Sequence, residues 1–159
     1  MQKKIFSILG TLCLGCSFSS CEDNYTICNE PKVVSFKGAF YKKIAGADVS
    51  SPVSLLSIRP ITTAAYIYNQ QPAVAGFSFA LDPVLDSAKY IFKIDNSANQ
   101  DTVSLFYTSQ LQLLSEICGS ITTYNLTYVK TTKHALDSMT IIAPKVDNQS
   151  NGNLKIYFH

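Results

Sequence analysis

The chain has no tryptophan, only two histidines and two methionines, and few charges, with 15% of its 159 residues being Asp, Glu, Lys or Arg. Each shortage removes a class of function. His134 lies in a polar Thr-Lys stretch and His159 is the last residue, so neither stands where a nucleophile–base pair is built. Scattered histidines and cysteines lack the spacing of zinc ligands, and no metal site is expected. There is no Gly-x-Ser-x-Gly elbow and no glycine-rich phosphate loop, so the chain is read as a non-enzyme without a cofactor. No apolar run reaches the about 20 residues of a membrane-spanning helix. No long helical periodicity stands out either.

What is there begins with an export signal. Lys3 and Lys4 precede an apolar run from Ile5 to about Leu14, and small residues then lead to a cysteine. Small residues directly before a cysteine point to lipoprotein processing, in which the thiol takes a diacylglycerol and cleavage leaves it first in the chain. Three cysteines compete. Cys13 lies inside the apolar run, and Cys16 would leave that run very short. Cys21 follows Phe18-Ser19-Ser20 and is the expected lipidation site. An ordinary cleaved signal, with Cys21 as a thiol, is the alternative. The organisation read from this is a lipoprotein signal peptide over 1–20, an acylated tether over 21–31 and a single domain over 32–159. Several acyl chains at Cys21 would hold the protein firmly on a membrane. Glu22-Asp23 resembles the acidic export signal of surface lipoproteins in Bacteroidota and favours the outer membrane; a solvated acidic tether is the plainer reading.

Without the signal the chain has 139 residues, the size of one domain. Losing Lys3 and Lys4 takes the formal charge from +2 to zero, which leaves no electrostatic footprint for nucleic acid. Two cysteines remain, Cys28 and Cys118. In an oxidising compartment they most simply form one disulfide closing about 90 residues, and two buried free thiols are the alternative.

The body of the chain reads as strands. β-branched and aromatic residues enrich 32–40, 62–68 and 120–130, and 53–58 is a short apolar run read as a buried strand. Period-two alternation marks 74–81 (Phe77, Phe79, Leu81), 89–94 (Tyr90, Phe92, Ile94), 102–109 (Val103, Leu105, Tyr107) and 153–158 (Leu154, Ile156, Phe158). A further strand covers 138–143, ended by Pro144. Loops are expected at 42–52 and 69–72, and a short helical turn or strand start at 110–115. Eight or nine strands separated by turn chemistry predict an all-β, antiparallel, immunoglobulin-like β-sandwich, with a small closed β-barrel as the alternative.

Several stretches carry a resemblance: Phe79-Ala-Leu-Asp-Pro, Asp101-Thr-Val-Ser-Leu-Phe-Tyr, Ser115-Glu-Ile-Cys-Gly119, Thr122-Thr-Tyr-Asn-Leu126 and Asn153-Leu-Lys-Ile-Tyr-Phe158. With them the chain resembles small outer-membrane lipoproteins of Bacteroidota that are known only as a domain of unknown function. The likeness spans most of the mature chain, is most specific at Cys118-Gly119, and is poor over 42–71. It implies location and architecture, and no activity. It also implies the Cys28–Cys118 pairing, since those are the recurrent cysteines of the pattern.

Other candidates are weighed against plainer roles. Asp82 and Asp86 flank Pro83 as an acid/base or calcium pair, or as turn residues. Asp95, Asn96, Asn99 and Asp101 are a calcium loop or a hairpin turn; the glycine and ligand rhythm of a known calcium loop are missing. Phe77, Phe79, Phe92 and Tyr107 are expected in the core. Tyr66 and Tyr68, near a proline-bounded turn, are the candidate ligand platform. Ser87, Thr102 and Ser138 each follow an aspartate and precede an apolar residue, like the sites where Bacteroidota O-glycosylate exported proteins; the alternative is ordinary residues at the start of strands. The expectation is a non-enzymatic cell-envelope lipoprotein, an accessory or assembly component. It would meet the membrane through its anchor and an envelope protein as partner. A small-ligand or glycan-binding module at the cell surface is the alternative.

Overall fold

The computed structural model describes residues 27–95 and 97–159. The expected signal peptide, Cys21 and the chain up to residue 26 lie outside the described residues, as does Asn96.

Among the described residues there are eleven strands: β1 (Phe36–Ile44), β2 (Ala47–Ser50), β3 (Val53–Pro60), β4 (Tyr68–Val74), β5 (Gly76–Phe79), β6 (Ser87–Ile94), β7 (Asp101–Ser115), β8 (Gly119–Thr131), β9 (Leu136–Ile141), β10 (Lys145–Val146) and β11 (Leu154–Phe158). They form two sheets. One runs β10-β8-β7-β6-β3-β4 and is antiparallel throughout. The other runs β2-β1-β11-β9, with β5 also on β1. β5 pairs with Phe36–Ala39 and β2 with Tyr41–Ile44, so the two short strands share one edge of β1 end to end. The other edge of β1 takes β11 in parallel. The sheets pack face to face and stay open at their edges. The protein is a β-sandwich, and the barrel alternative is not what forms.

Alternation along the strands builds the core. Phe36 and Phe40 of β1, Phe77 and Phe79 of β5, Tyr90, Phe92 and Ile94 of β6, Val103, Leu105 and Tyr107 of β7, and Leu154, Ile156 and Phe158 of β11 are all buried. One side chain of every pair points inward, which is why period two in the sequence located this face. The centre is aromatic. Phe77 lies near-parallel to Phe79 at 5.6 Å and meets the edge of Phe92 at 5.3 Å, and Phe36 meets Phe79 edge-on at 5.3 Å. Such offset and edge-on geometries add about 0.5–1.5 kcal/mol each beyond the area buried. The ring of Phe77 needs the missing side chain of Gly38, where a Cβ would stand 2.5 Å from its Cζ.

Four expectations need correcting. The predicted loop at 42–52 is the end of β1, a tight turn and β2. Ala45 and Gly46 both take positive φ, 51° and 84°, the pairing a two-residue primed hairpin turn demands. The expected strand at 62–68 is the β3–β4 connection up to Ile67, with only Tyr68 in a strand, and the expected turn at 69–72 lies inside β4. Pro72 is tolerated there because β4 is an edge strand and owes no hydrogen bond outward. The stretch 110–115 is neither a helical turn nor a new start: it continues β7 to fifteen residues. Eight of the expected strands form, and those the sequence did not mark as strands are the short β2 and β10 and most of β4.

Gly38→Ala should destabilise the fold by about 1–3 kcal/mol through overpacking against Phe77. Denaturant unfolding at unchanged slope checks it, and a neutral result would mean the ring cluster is looser than described.

Candidate functional site

The features that stand apart from the sandwich gather at one end. In the antiparallel sheet the β3–β4 and β7–β8 turns lie at the same end, and β7 and β8 run past their neighbours there. β6 pairs with β7 only as far as Phe106, and β10 reaches β8 only at Tyr124 and Asn125. Beyond that, Gln110 to Ser115 and Gly119 to Thr123 pair with each other alone, as a two-stranded arm. Residues opposite one another share a face. Leu111 and Leu113 therefore lie on the same face as Tyr107, yet past the reach of the second sheet. They stay 71% and 65% exposed.

The arm turns at Glu116, Ile117 and Cys118, where the Cys118 amide donates to Ser115 Oγ (2.9 Å) and Gly119 takes a positive φ of 71°. Cys118 is buried and bonded to Cys28, with the two Cα atoms 5.1 Å apart and 90 residues between them in sequence. The start of the described chain is thereby fixed to the arm's tip, with Ile27 and Ile117 exposed beside the bond. The expected pairing of Cys28 with Cys118 is what the structure contains.

At the arm's root the chain from Leu81 to Asp86 crosses the end of the sandwich and is bolted down by side chains. Tyr124 Oη donates to the Leu81 carbonyl (2.8 Å), Tyr107 Oη to that of Asp82 (3.2 Å) and Ser109 Oγ to that of Pro83 (2.9 Å). The Tyr107 amide donates to the Asp86 carbonyl (2.8 Å). Burial pushes the phenols of Tyr107 and Tyr124 up, and takes that of Tyr90, beneath the same loop, to about 12. All three stay neutral and serve as donors or packing groups. Val84 and Leu85, at the crest of this loop, face solvent.

Of the carboxylates singled out in the sequence, Asp82, Asp95 and Asp101 are spent on backbone, whereas Asp86 Oδ1 accepts from Ser87 Oγ (3.3 Å). Asp101 is 1% exposed. Its Oδ1 accepts from the His134 amide (2.7 Å) and Thr132 Oγ1 (2.8 Å), and its Oδ2 from the amides of Ala135 (2.7 Å) and Leu136 (2.9 Å). Burial pushes this carboxyl up, but these donors outweigh it and hold it below the usual carboxylate range. His134 Nδ1 lies 3.3 Å from the same Oδ1. Asp101 thus fastens the β8–β9 connection at the end opposite the arm. Asp95 Oδ1 accepts from the amides of Ser54 and Leu55, tying the β6–β7 loop to β3. Asp82 Oδ1 caps its own turn at the Val84 amide. Among the described residues no three His, Cys, Asp or Glu side chains converge as a metal group.

The remaining candidates are dispersed. Tyr66 is exposed in the β3–β4 connection, whereas the Tyr68 hydroxyl bonds both the amide (3.0 Å) and the carbonyl (3.3 Å) of Ser78. Ser87 opens β6, Thr102 lies in β7 between β6 and β8, and Ser138 lies in the outer strand β9; all three are half-buried. Ser138 also borders an open groove of about 310 Å³ between β8 and β9, lined by Tyr128, Lys130, Thr131, Lys133 and Met139. The arm leucines are what sequence reasoning missed. The alternation Gln110-Leu-Gln-Leu113 carried the signal, answered by β-prone residues at 120–123.

Fold and covalent framework define a disulfide-closed all-β sandwich. The model of a family of unknown function, DUF6452, matches residues 55–158, and the chain belongs to that family. The match runs from within β3 to the end of β11, and it includes the arm and Cys118 but not β1, β2 or Cys28. No curated protein and no solved structure matches the chain.

Opening the disulfide should cost up to about 4 to 5 kcal/mol, the loop-closure figure for so long a loop. A paired Cys28→Ser, Cys118→Ser variant should unfold at clearly lower denaturant, and equal midpoints would contradict the assignment of a covalent brace. Asp101→Asn should cost on the order of 2–3 kcal/mol at neutral pH. Because the folded carboxyl titrates below its unfolded value of about 3.9, its contribution is full above that value and is lost as pH falls through the folded one. The difference between wild type and Asp101→Asn should therefore shrink between pH 5 and the lowest pH at which both still fold, taken in steps of about one unit across the carboxylate range.

Proposed function

We propose that the chain is an exported lipoprotein, anchored at the outer membrane through Cys21, that works without catalysis as an accessory or assembly component of the cell envelope. The observation that carries this reading is the Cys28–Cys118 disulfide, seven residues after Cys21. Structural disulfides persist in oxidising compartments, beyond the cytosol, where export would deliver the chain. The fate of the carboxylates adds to it. Asp101 and Asp95 are consumed in holding loops, which suits a rigid platform better than an acid/base site. The likeness to small Bacteroidota lipoproteins agrees with the export signal.

A second reading has one observation in its favour. The open groove between β8 and β9 offers Tyr128, Lys130 and Lys133 to a small polar ligand or glycan. The exposed ring of Tyr66 offers a separate stacking surface. Modification at Ser87, Thr102 or Ser138 would accompany either role.

Intact mass of the mature chain from its own membranes should show Cys21 as the first residue carrying a diacylglycerol, and Cys21→Ser should move the protein out of the membrane fraction. An unacylated mature chain with a different first residue would overturn the anchor.

A further inference from the structure

We infer that the β7–β8 arm is a membrane-contacting element, whose exposed Leu111, Leu113 and Ile117 rest in the headgroup layer of the bilayer that holds the anchor. The inference rests on the lipidation of Cys21 proposed above and adds to it which part of the domain meets the lipid.

Reach selects this end of the sandwich. Seven residue steps separate Cys21 from Cys28, and a chain spans at most about 3.6 Å per residue, or about 25 Å. Cys28 is bonded to the arm's tip, so the tip lies no further than that from the acylated residue. β7 is fifteen residues long and spans roughly 50 Å, so the opposite end of the sandwich, with exposed Ile44 and Val49, lies beyond the tether.

Composition fits the same surface. From Thr108 to Leu126 the arm carries no lysine or arginine and one acidic residue, Glu116. Leu111, Leu113 and Ile117 are 71%, 65% and 58% exposed, Ile27 beside the disulfide is 78% exposed, and Val84 at the arm's root is 89% exposed. Apolar side chains at one end, on the element to which the tether is bonded, gain by leaving water for the acyl boundary. Penetration stays shallow for a backbone reason. Among the described residues the outer edges of the arm pair with no further strand, and their amides and carbonyls need water or headgroups that the hydrocarbon core does not supply. With no cationic residue in the arm, the contact is apolar and salt does not weaken it.

The absence of tryptophan makes the test clean, because one introduced indole is the only one in the protein. Acylated full-length chain carrying Leu113→Trp, Leu111→Trp or, at the far end, Ile44→Trp would be placed in vesicles of phosphatidylethanolamine and phosphatidylglycerol. Each preparation is first weighed for the acyl group at Cys21. Indoles at 111 and 113 should emit further to the blue than the one at 44. Lipids brominated on the acyl chain should quench them about twofold, as expected for side chains about 5–10 Å into the boundary. High salt should change neither result. An acylated chain whose three indoles are equally water-exposed would overturn the inference and leave the anchor standing. Shielding at 111 and 113 in native membranes but not in vesicles would overturn it in favour of a protein partner. A mature chain without the acyl group would overturn both.

Discussion

The Cys28–Cys118 bond is the constraint on which the shape of the molecule depends. It joins the segment leading into β1 to the tip of the longest hairpin, across 90 residues of sequence. Apart from it, the segment from Ile27 to the start of β1 makes no strand and is held by the Asn148 Nδ2 bond to the Pro31 carbonyl (2.8 Å) and by Val34 packing on the core. Without the disulfide the arm would be a two-stranded ribbon with two open edges, an arrangement marginal in water by itself. The bond makes each the support of the other, and it gives the chain a fixed point of departure at one end of the sandwich.

Below that point the sandwich is held by two different kinds of interaction. Its centre is aromatic and closely fitted, with Phe77 occupying the space that Gly38 leaves and four further phenylalanine rings around it. Its ends are held by polar bolts. Tyr107, Ser109 and Tyr124 fix the loop at the arm's root, and Asp101 gathers three amides and a hydroxyl at the far end. On the outer face of the β2-β1-β11-β9 sheet, Asp48 Oδ2 accepts from Tyr157 Oη (2.9 Å) and lies 3.0 Å from Lys155 Nζ, linking the edge strand β2 to β11 across β1. The Lys155 hydrogen bond, with that of Tyr157, holds the Asp48 carboxyl low. The pair is solvent-accessible and adds little stability in itself.

The strands with one buried face were legible in the sequence, because burial on one side imposes period two. Tyr90-x-Phe92-x-Ile94 and Leu154-x-Ile156-x-Phe158 are the plainest cases, and the all-β sandwich followed from them. Segments whose fate is set by a distant neighbour were not legible. Thr62 to Ile67 are β-prone in composition, yet it is Asn69 to Pro72 that fall opposite β3, with a register shift between Leu56 and Ile58. Gln110 to Ser115 bury neither face fully, so only their partner across the turn makes them a strand. The role of Asp101 was hidden for the same reason, its donors lying 31 to 35 residues further on. The cysteine pair was legible as the simplest outcome of counting once the expected signal is set aside, and from the family resemblance, but its place at the tip of an exposed arm was not. That placement turns a fold-closing bond into an argument about orientation.

The inferred contact of this end of the molecule with lipid is open to direct measurement. The most direct measurement is photo-crosslinking in native membranes, with the chain made in the presence of a diazirine analogue of leucine. Most leucines of the sandwich are buried, whereas Leu85, Leu111 and Leu113 are exposed. Phospholipid adducts on the peptide carrying Leu111 and Leu113 are the predicted result. Adducts to another protein at those positions, or none to lipid, would contradict it.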